Sequence, residues 1–463
     1  MLAAQPGGRP MIDALLTNDN AKQRAWPSMV ESKPLRFTAT MILYFMQGVP
    51  VGLTLLVLPS WFAANGASPV EIGAFVGFSL LPWSLKPLAG LLMDRYAYRP
   101  MGRRRAWILI AQASMVAVLF ALAQTGATAN DIALIGSFCF ALNTCAIFND
   151  VAVDGMTIDL VPMEERGAIN GCMYGSQIVG VSAIGYLGGQ LLLSGSTTSA
   201  AIVFAIIVAV PSFVVGLFRE RPGERLMPWT NGYPSAECNA LQQDQWLPML
   251  KTILRSFWNV RIVAFLIASF LFSANSAHFD TVAPILAVNV LDWSSEGYSS
   301  FASATALGAG LLGIVSTGFL VKRFGIAYLA TIYALMLIAA TIAGGTTFDG
   351  WEGGTTFAVI YVVQAVVGTL LMILMIAWAM MLSNPAVAAS QFAVMMAIPN
   401  FGRSSMSGAA GQLIESYGYG ATYLVTALVM TIALAVFVFA ARRGSQPADV
   451  NVAAVGDDKC PTR

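Results

Sequence analysis

Apolar residues fall in blocks of about twenty along most of the chain, and polar residues gather in the short segments between those blocks. An apolar helix of about twenty residues crosses the hydrocarbon core of a bilayer. The pattern therefore predicts twelve membrane-spanning helices, numbered 1 to 12. Their predicted spans are 37–61, 69–93, 106–124, 131–155, 167–193 and 199–218, followed by 262–290, 298–321, 327–345, 354–382, 391–415 and 420–441.

The composition supports this interpretation. Of the 463 residues, 57% are hydrophobic and 11% are charged, whereas soluble domains carry roughly 25% charged residues. The net charge of +1 gives no reason to expect a nucleic-acid partner. The five cysteines lack metal-ligand and disulfide spacing, and there is a single histidine, so we expect no metal and no cofactor. We find no cluster of nucleophile and base and expect that the protein is not an enzyme.

The positions of lysine and arginine predict the orientation. All of these residues except Lys86 and Arg403 lie before helix 1, after helix 12 or in the segments after helices 2, 4, 6 and 8. Basic residues concentrate in the cytoplasmic loops of membrane proteins. We therefore expect both termini in the cytoplasm and the helices in a bacterial inner membrane. The first 36 residues show no signal-peptide pattern, so helix 1 is expected to direct insertion.

The polar segments divide the chain into five parts. They are a cytoplasmic segment 1–36, a six-helix half 37–218, a cytoplasmic linker 219–261, a second six-helix half 262–442 and a tail 443–463. Residues 246–258 of the linker mix apolar and basic positions, which indicates an amphipathic helix on the membrane surface. The polar composition of the tail favours disorder.

The two halves share a pattern at the end of their second helices. Gly90 stands four residues before Asp94, and Gly318 stands four residues before Lys322, and each charge is followed by an arginine. The two glycines lie 228 residues apart, about half the chain. A glycine on a helix face allows a neighbouring helix to approach closely. Two parallel six-helix repeats match the architecture of the major facilitator superfamily.

The charges that follow helix 2 are predicted to form a conformational latch at the cytoplasmic helix ends. The latch residues are Gly90, Asp94, Arg95, Arg103, Arg104 and Arg105. We expect contacts among Asp94, Arg103 and Asp154 to hold the outward-facing state. The alternative is a basic loop that only sets the topology.

Three segments resemble AmpG-type muropeptide permeases. They are residues 85–107 at the end of helix 2, residues 149–167 in helix 4 and the loop after it, and residues 383–403 leading into helix 11. The most specific part is the Asp-x-x-x-Asp at 150–154 with the Glu-Glu-Arg-Gly at 164–167. The resemblance implies an all-α membrane protein of the major facilitator fold, with twelve transmembrane helices in two parallel halves. It also implies proton-driven import, with anhydro-muropeptides as the best-known cargo of the family.

The sequence departs from that family at two places in the predicted cavity. Residues 174–177 of helix 5 read Tyr-Gly-Ser-Gln where the family has a Tyr-Arg pair, and residues 275–280 of helix 7 lack the family's lysine. Lysine and arginine provide the charge-assisted hydrogen bonds that hold carboxylates. A less acidic cargo, such as a siderophore or another peptide- or sugar-like metabolite, is therefore the alternative to a muropeptide.

Charged residues inside the predicted spans need a partner or a function, because a charge in the bilayer core costs at least ~2.5–3.5 kcal/mol. Asp150 and Asp154 lie one turn apart on one face of helix 4. We expect Asp154 to pair with a basic residue of the loop between helices 2 and 3. Asp150 lies deeper, and it either takes up the coupling proton or pairs with Lys86.

Helix 7 contributes two further candidates for proton coupling, so that the full predicted set is Asp150, Asp154, His278 and Asp280. Histidine titrates near neutral pH. The alternative for His278 is a hydrogen-bonded packing residue, and the alternative for Asp280 is a position at the outer membrane interface.

The predicted substrate-binding residues are polar positions inside the spans: Lys86, Gln47, Asn143, Tyr174, Gln177, Asn275, Gln364 and Arg403. Arg403 is the main candidate for a cargo anion, because a guanidinium binds carboxylate or phosphate in bidentate geometry. Its alternative is a pairing at the cytoplasmic end of its helix. Lys86 has the alternative of extending towards the cytoplasm, and the amides have that of bridging neighbouring helices.

We therefore expect a monomer that carries a small molecule together with protons across the bilayer. Drug or metabolite efflux by proton antiport on the same fold is one alternative. A membrane assembly factor that transports nothing is another.

Overall fold

The computed structural model describes residues 28–193, 196–240, 259–348, 351, 354–382 and 388–442. These residues contain twelve long helices. The first half holds α1 (Lys33–Ala64), α2 (69–95), α3 (Arg105–Thr125), α4 (Ile132–Leu160), α5 (Met163–Leu193) and α6 (Thr197–Gly216). The second half holds α7 (Val260–Asn289), α8 (Ser295–Phe324), α9 (Ile326–Thr346), α10 (Thr355–Leu382), α11 (388–417) and α12 (419–442). The predicted all-α fold of twelve helices is confirmed.

Local sequence signals explain where several helices begin and end. Ser68 accepts the Glu71 N–H and Glu71 accepts the Ser68 N–H, which caps the start of α2 on both sides. At the start of α8, the Ser294 hydroxyl accepts the Gly297 N–H. Gly418 divides the helical stretch Ala388–Arg442 into α11 and α12, because its φ of 78° lies in the left-handed region that glycine adopts without strain.

Most of the long helices are apolar enough to cross a membrane. Nine stretches of the described chain meet this condition, and the last of them, Phe392–Ala441, contains both α11 and α12. Helices α5 and α8, which contain several glycine and serine residues, pack on each other between the two halves.

Helices α1 and α2 are irregular part of the way along. A π-helical turn covers Leu53–Val57 in α1, and a 3₁₀ turn covers Leu81–Leu85 in α2. Pro82 cannot donate a backbone hydrogen bond, so the ladder of α2 is interrupted at that turn. The interruption places Trp83 and Lys86 against α4, where both find polar partners.

The two halves contact each other through small residues. A Cβ atom on Gly73 or Gly77 of α2 would lie 2.8 or 2.7 Å from a carbonyl oxygen of α11. Across the bundle, a Cβ atom on Gly189 of α5 would lie 3.2 Å from that of Ser299 in α8. The Ser299 hydroxyl also lies 3.2 Å from the Ser60 hydroxyl of α1. All of these contacts lie towards the end of the bundle that holds residues 65–68 and 290–294, which we call the far end.

The opposite end of the bundle, which we call the linker end, contains folded polypeptide outside the helices. Residues 217–240 pack against the loop 96–104 and against residues 28–30. The Met29 and Val30 N–H groups donate to the carbonyls of Arg219 and Glu220 at 2.8 and 3.1 Å. The predicted amphipathic helix 246–258 and the predicted tail 443–463 lie outside the described residues.

Candidate functional site

An acid and a base from different helices meet in the interior of the first half. The Lys86 ammonium of α2 lies 2.6 Å from the Asp150 carboxylate of α4, and their side chains are 19% and 5% exposed. The same ammonium lies 4.9 Å from the centre of the Trp83 ring. A buried charge pair of this kind compensates for the loss of water around both groups. The sequence left open whether Asp150 takes up the coupling proton or pairs with Lys86, and this structure contains the ion pair.

The second acid of α4 has a different partner from the one predicted. Asp154 accepts a hydrogen bond from the Tyr44 hydroxyl of α1. The loop arginines pair instead with Asp159, at 3.4 Å from Arg103 and 3.8 Å from Arg104. The prediction that Asp154 pairs with the loop is wrong in this structure, because Asp159 lies more than a turn nearer to the end of α4 where the loop runs.

Polar side chains connect the helices around this pair. The Trp83 indole donates to the Asn143 amide oxygen at 2.8 Å, and the Asn143 amide donates to the Thr54 hydroxyl at 3.0 Å. The Gln177 amide donates to the Gln47 amide oxygen at 2.8 Å between α5 and α1. Asn143 and Gln47 are fully buried. In this structure they bridge helices, which was the alternative to cargo binding.

A second ion pair lies in the other half. Arg403 of α11 binds Asp280 of α7 through two parallel hydrogen bonds, with 2.7 Å between Nη2 and Oδ1. The side chains are 26% and 7% exposed. Asp280 therefore lies in the bundle interior and not at the outer membrane interface. The Tyr174 phenol of α5, which belongs to the first half, lies within electrostatic range of Arg403.

His278 lies away from this second pair. Its Nδ1 atom is 3.3 Å from the Thr426 hydroxyl of α12, and its ring centre is 4.1 Å from that of Tyr423. Two residues along a helix correspond to a rotation of about 200°, so His278 and Asp280 point to different neighbours. The structure does not bring these two predicted coupling residues together, and the geometry of His278 is that of a hydrogen-bonded packing residue.

The remaining amides of the second half have separate surroundings. The Gln364 amide donates to the Thr341 hydroxyl at 3.0 Å and bridges α10 to α9. Asn275 is buried in α7, and its amide lies 3.1 Å from where a Cβ atom on Gly368 of α10 would be. Neither amide is placed against either ion pair by these contacts.

The two ion pairs flank one contact between the halves. The Asn400 amide of α11 donates to the Trp83 carbonyl of α2 at 3.4 Å. Asn400 lies three residues before Arg403, and Trp83 lies three residues before Lys86, which places each pair of residues on one helix face. The Lys86–Asp150 pair and the Arg403–Asp280 pair therefore lie on the two sides of this α2–α11 contact. Trp83 and Tyr44 were not predicted, because nothing distinguishes them from the other aromatic residues in the spans.

The predicted latch residues lie at the linker end. Gly90 faces Val151 of α4, with 3.7 Å from the position of a Cβ atom to the valine methyl. Arg105 donates to the carbonyls of Gly216, Arg225 and Leu226, and Arg95 ends α2. The described contacts of these residues fall within the first half and the linker. The Asp94 side chain lies outside the described residues, and the latch stays a prediction.

Glu220, which the sequence did not single out, organises the linker end. Its carboxylate accepts the backbone N–H groups of Arg103, Arg104 and Arg105 at 3.0, 2.9 and 2.5 Å, at the start of α3. Burial raises its pKa. Burial, with repulsion from Glu220, also raises the pKa of Glu224 to about 7. Glu220 thus anchors the linker to the start of α3, whereas Glu224 accepts the Arg221 N–H and the Ser235 hydroxyl within the linker.

Comparison with known proteins agrees with this arrangement. The model of the Major Facilitator Superfamily matches residues 40–404. The anhydromuropeptide permease of Escherichia coli (strain K12) is 24% identical over 411 residues, which cover 84% of this chain and 76% of the permease. The crystal structure of the nucleoside transporter NupG has a TM-score of 0.63 at 17% identity, covering 88% of this chain and 99% of that one.

A D-xylose-proton symporter gives a TM-score of 0.64 at 14% identity and covers 87% of this chain and 96% of the symporter. The proteins named here are a permease and two transporters, so a permease role is supported and an enzyme is not. Because the family model covers most of the sequence, the chain belongs to the major facilitator superfamily.

Proposed function

We propose that the protein imports a small amphipathic metabolite with protons, as an AmpG-like permease of a bacterial inner membrane. The observation that carries the proposal is the Lys86–Asp150 ion pair, with Asp154 one turn away. Both groups lie in the bundle interior, where an unpaired charge is costly. A buried carboxylate next to a cation can exchange that cation for a proton.

The coupling step follows from this exchange. When Asp150 binds a proton, its attraction for Lys86 is lost, and the ammonium is released to move or to bind cargo. When the proton leaves, the ion pair forms again. The 3₁₀ turn at Leu81–Leu85 directly precedes Lys86, and such a turn has weaker hydrogen bonding than an α-helix. The turn would allow the backbone at Lys86 to adjust when the side chain leaves Asp150 or returns to it.

The closure of the halves at the far end supports alternating access. If both termini lie in the cytoplasm, the far end faces the periplasm, and closure of the far end is what we expect of the cytoplasm-facing state. Major facilitator halves move against each other around a central site. The α2–α11 contact, flanked by the two ion pairs, is our candidate for that central site.

The first candidates for the cargo come from the similarity to the Escherichia coli permease. The Escherichia coli permease is named for anhydro-muropeptides, which makes these compounds the first candidates. Because Lys86 and Arg403 already have carboxylate partners, a cargo with several carboxylates would find fewer available cations. A siderophore or another peptide- or sugar-like metabolite is the alternative cargo.

Uptake into proteoliposomes tests the proposal. We would offer a mixture of anhydro-muropeptides, dipeptides and a ferric siderophore under an imposed proton gradient and analyse the lumen by mass spectrometry. We expect at least one compound to accumulate above its outside concentration, and a protonophore to remove that accumulation. Liposomes without protein are the control. Accumulation that persists in the presence of the protonophore would contradict proton coupling, and proton-driven extrusion would indicate an antiporter.

A further inference from the structure

The charges in the interior of the bundle are nearly balanced. Away from their end turns, the described helices carry two bases, Lys86 and Arg403, and three acids, Asp150, Asp154 and Asp280. Each base is bound to an acid, and the third acid accepts a hydrogen bond from Tyr44. A charged group of the cargo therefore meets cations and anions that already have partners.

The Arg403–Asp280 pair is the one most open to a ligand. The Arg403 side chain is 26% exposed, compared with 19% for Lys86. Arg403 belongs to the second half, and Asn400, three residues before it on the same helix, donates to the Trp83 carbonyl of the first half at 3.4 Å. The phenols of Tyr174, Tyr298 and Tyr361 lie within electrostatic range of the pair. This pair thus presents both signs of charge near the boundary of the two halves.

We propose that the cargo is a zwitterion, and that its carboxylate binds Arg403 while its protonated amine binds Asp280. The proposal rests on the proposed transport function and deepens it by naming the charge class of the cargo. In the empty site the guanidinium and the carboxylate bind each other. In the loaded site the Arg403 guanidinium binds the carboxylate of the cargo and the Asp280 carboxylate binds its amine, so every charge keeps a partner of opposite sign.

Cargoes of other charge fit this pair less well. A carboxylate that bound Arg403 alone would displace Asp280 and leave that anion buried without a cation. An amine that bound Asp280 alone would leave Arg403 in the same position. Leaving one member of a buried pair unmatched is strongly unfavourable. A neutral cargo would leave the pair intact and would gain no charge-assisted hydrogen bond from it.

The side chains beside the pair suit a cargo with an apolar or ring-shaped body. Three phenols, those of Tyr174, Tyr298 and Tyr361, lie within electrostatic range of the pair. Aromatic side chains provide a large apolar surface with a polar edge. Amino acids with large side chains and short peptides combine such a body with the two charged ends.

Chemical blocking of the two ends of the cargo tests its charge class directly. Proteoliposomes would be offered a defined mixture of amino acids, dipeptides and tripeptides, its N-acetylated copy, its methyl-ester copy, and a reference mixture of sugars, nucleosides and dicarboxylates. We expect accumulation from the first mixture and about tenfold less from either blocked copy. Equal accumulation from a blocked copy, or accumulation from the reference mixture alone, would overturn the proposal. Accumulation from none of these mixtures would overturn the zwitterion proposal, and if the anhydro-muropeptides and the ferric siderophore are not accumulated either, the proposed function itself is overturned.

A double variant shows whether the Arg403–Asp280 pair recognises the carboxylate and the amine of the cargo. Asp280→Asn with Arg403→Gln removes both charges and leaves none unpaired. We expect this variant to accumulate less, and to accumulate the free compounds and their N-acetylated copies to the same low level. Asp131→Asn replaces an exposed acid outside the site and is expected to keep the preference for free amines. A double variant that keeps that preference would overturn the assignment to Arg403 and Asp280.

Discussion

Single charged side chains within the apolar spans carry most of the information about this site. Lys86, Asp150, Asp280 and Arg403 stand out in the sequence because each interrupts a long apolar stretch. The pairing of Lys86 with Asp150 was one of two possibilities that the sequence left open. The partner of Arg403 did not follow from the sequence, because Asp280 and Arg403 lie 123 positions apart and only the packing of α7 on α11 brings them together. Trp83 could not be recognised, since its importance comes from the 3₁₀ turn that directs it towards α4.

The Lys86–Asp150 pair gives a stability prediction. Lys86→Gln or Asp150→Asn alone leaves one buried charge without a partner, which we expect to lower the free energy of unfolding by about 3–5 kcal/mol. The double variant removes both charges and is expected to recover most of that loss. Thermal melting of the four purified proteins gives the interaction energy of the pair. Additive losses in the double variant would mean that the two groups do not interact.

Glu224 gives a prediction about pH. Its pKa is about 7 in the folded protein, raised from 4.5 mainly by burial. Between pH 4.5 and about pH 7 the folded chain binds more protons at Glu224 than the unfolded chain does. The free energy of unfolding therefore falls as pH rises through this range and stays level above it. The loss amounts to at most about 3 kcal/mol.

Melting temperatures measured from pH 5 to pH 8 check this dependence. Glu224→Gln cannot ionise and should show a smaller decrease over that range. Glu237→Gln, an exposed acid on the neighbouring short helix Ala236–Ala240, is the matched control and should behave as the parent protein. An unchanged pH dependence in Glu224→Gln would show that another group is responsible.

At the scale of helices, the apolar blocks predicted every long helix, because each block must cross the bilayer whatever its neighbours are. The predicted spans are shorter than the helices at several ends; α5, for example, begins at Met163 and not at residue 167. Polar residues continue these helices beyond the apolar core, and hydropathy does not detect them. The folding of residues 217–240 was also missed, because it depends on the burial of Glu220 among backbone N–H groups.

The contact between α2 and α11 gives a prediction about conformation. A Cβ atom on Gly73 would lie 2.8 Å from the Ser407 carbonyl oxygen, whereas one on Gly408 in the same contact meets nothing within 4 Å. Gly73→Ala should therefore separate the halves at the far end, and Gly408→Ala should not. We expect the first variant to increase the labelling rate of Ser299→Cys, in a background without the five native cysteines. Equal labelling in both variants would contradict closure through this contact.

At the scale of the whole molecule, the internal repeat and the distribution of basic residues are enough to predict a major facilitator protein from the sequence. The orientation stays a prediction, and reporter fusions check it. Fusions after Phe62, Thr125 and Trp351 should report the periplasm, and a fusion after Cys238 should report the cytoplasm. A cytoplasmic signal from the first three would reverse the orientation and place the closed end on the cytoplasmic side.

Proton coupling through Asp150 is the central claim, and comparing uphill uptake with exchange tests it most directly. Proteoliposomes containing the parent protein, Asp150→Asn or Asp131→Asn would be assayed with a compound that the parent protein accumulates. In Asp150→Asn we expect no accumulation above the outside concentration under a proton gradient, while exchange between equilibrated pools continues. Asp131→Asn should retain both activities. Normal proton-driven accumulation by Asp150→Asn would contradict the account.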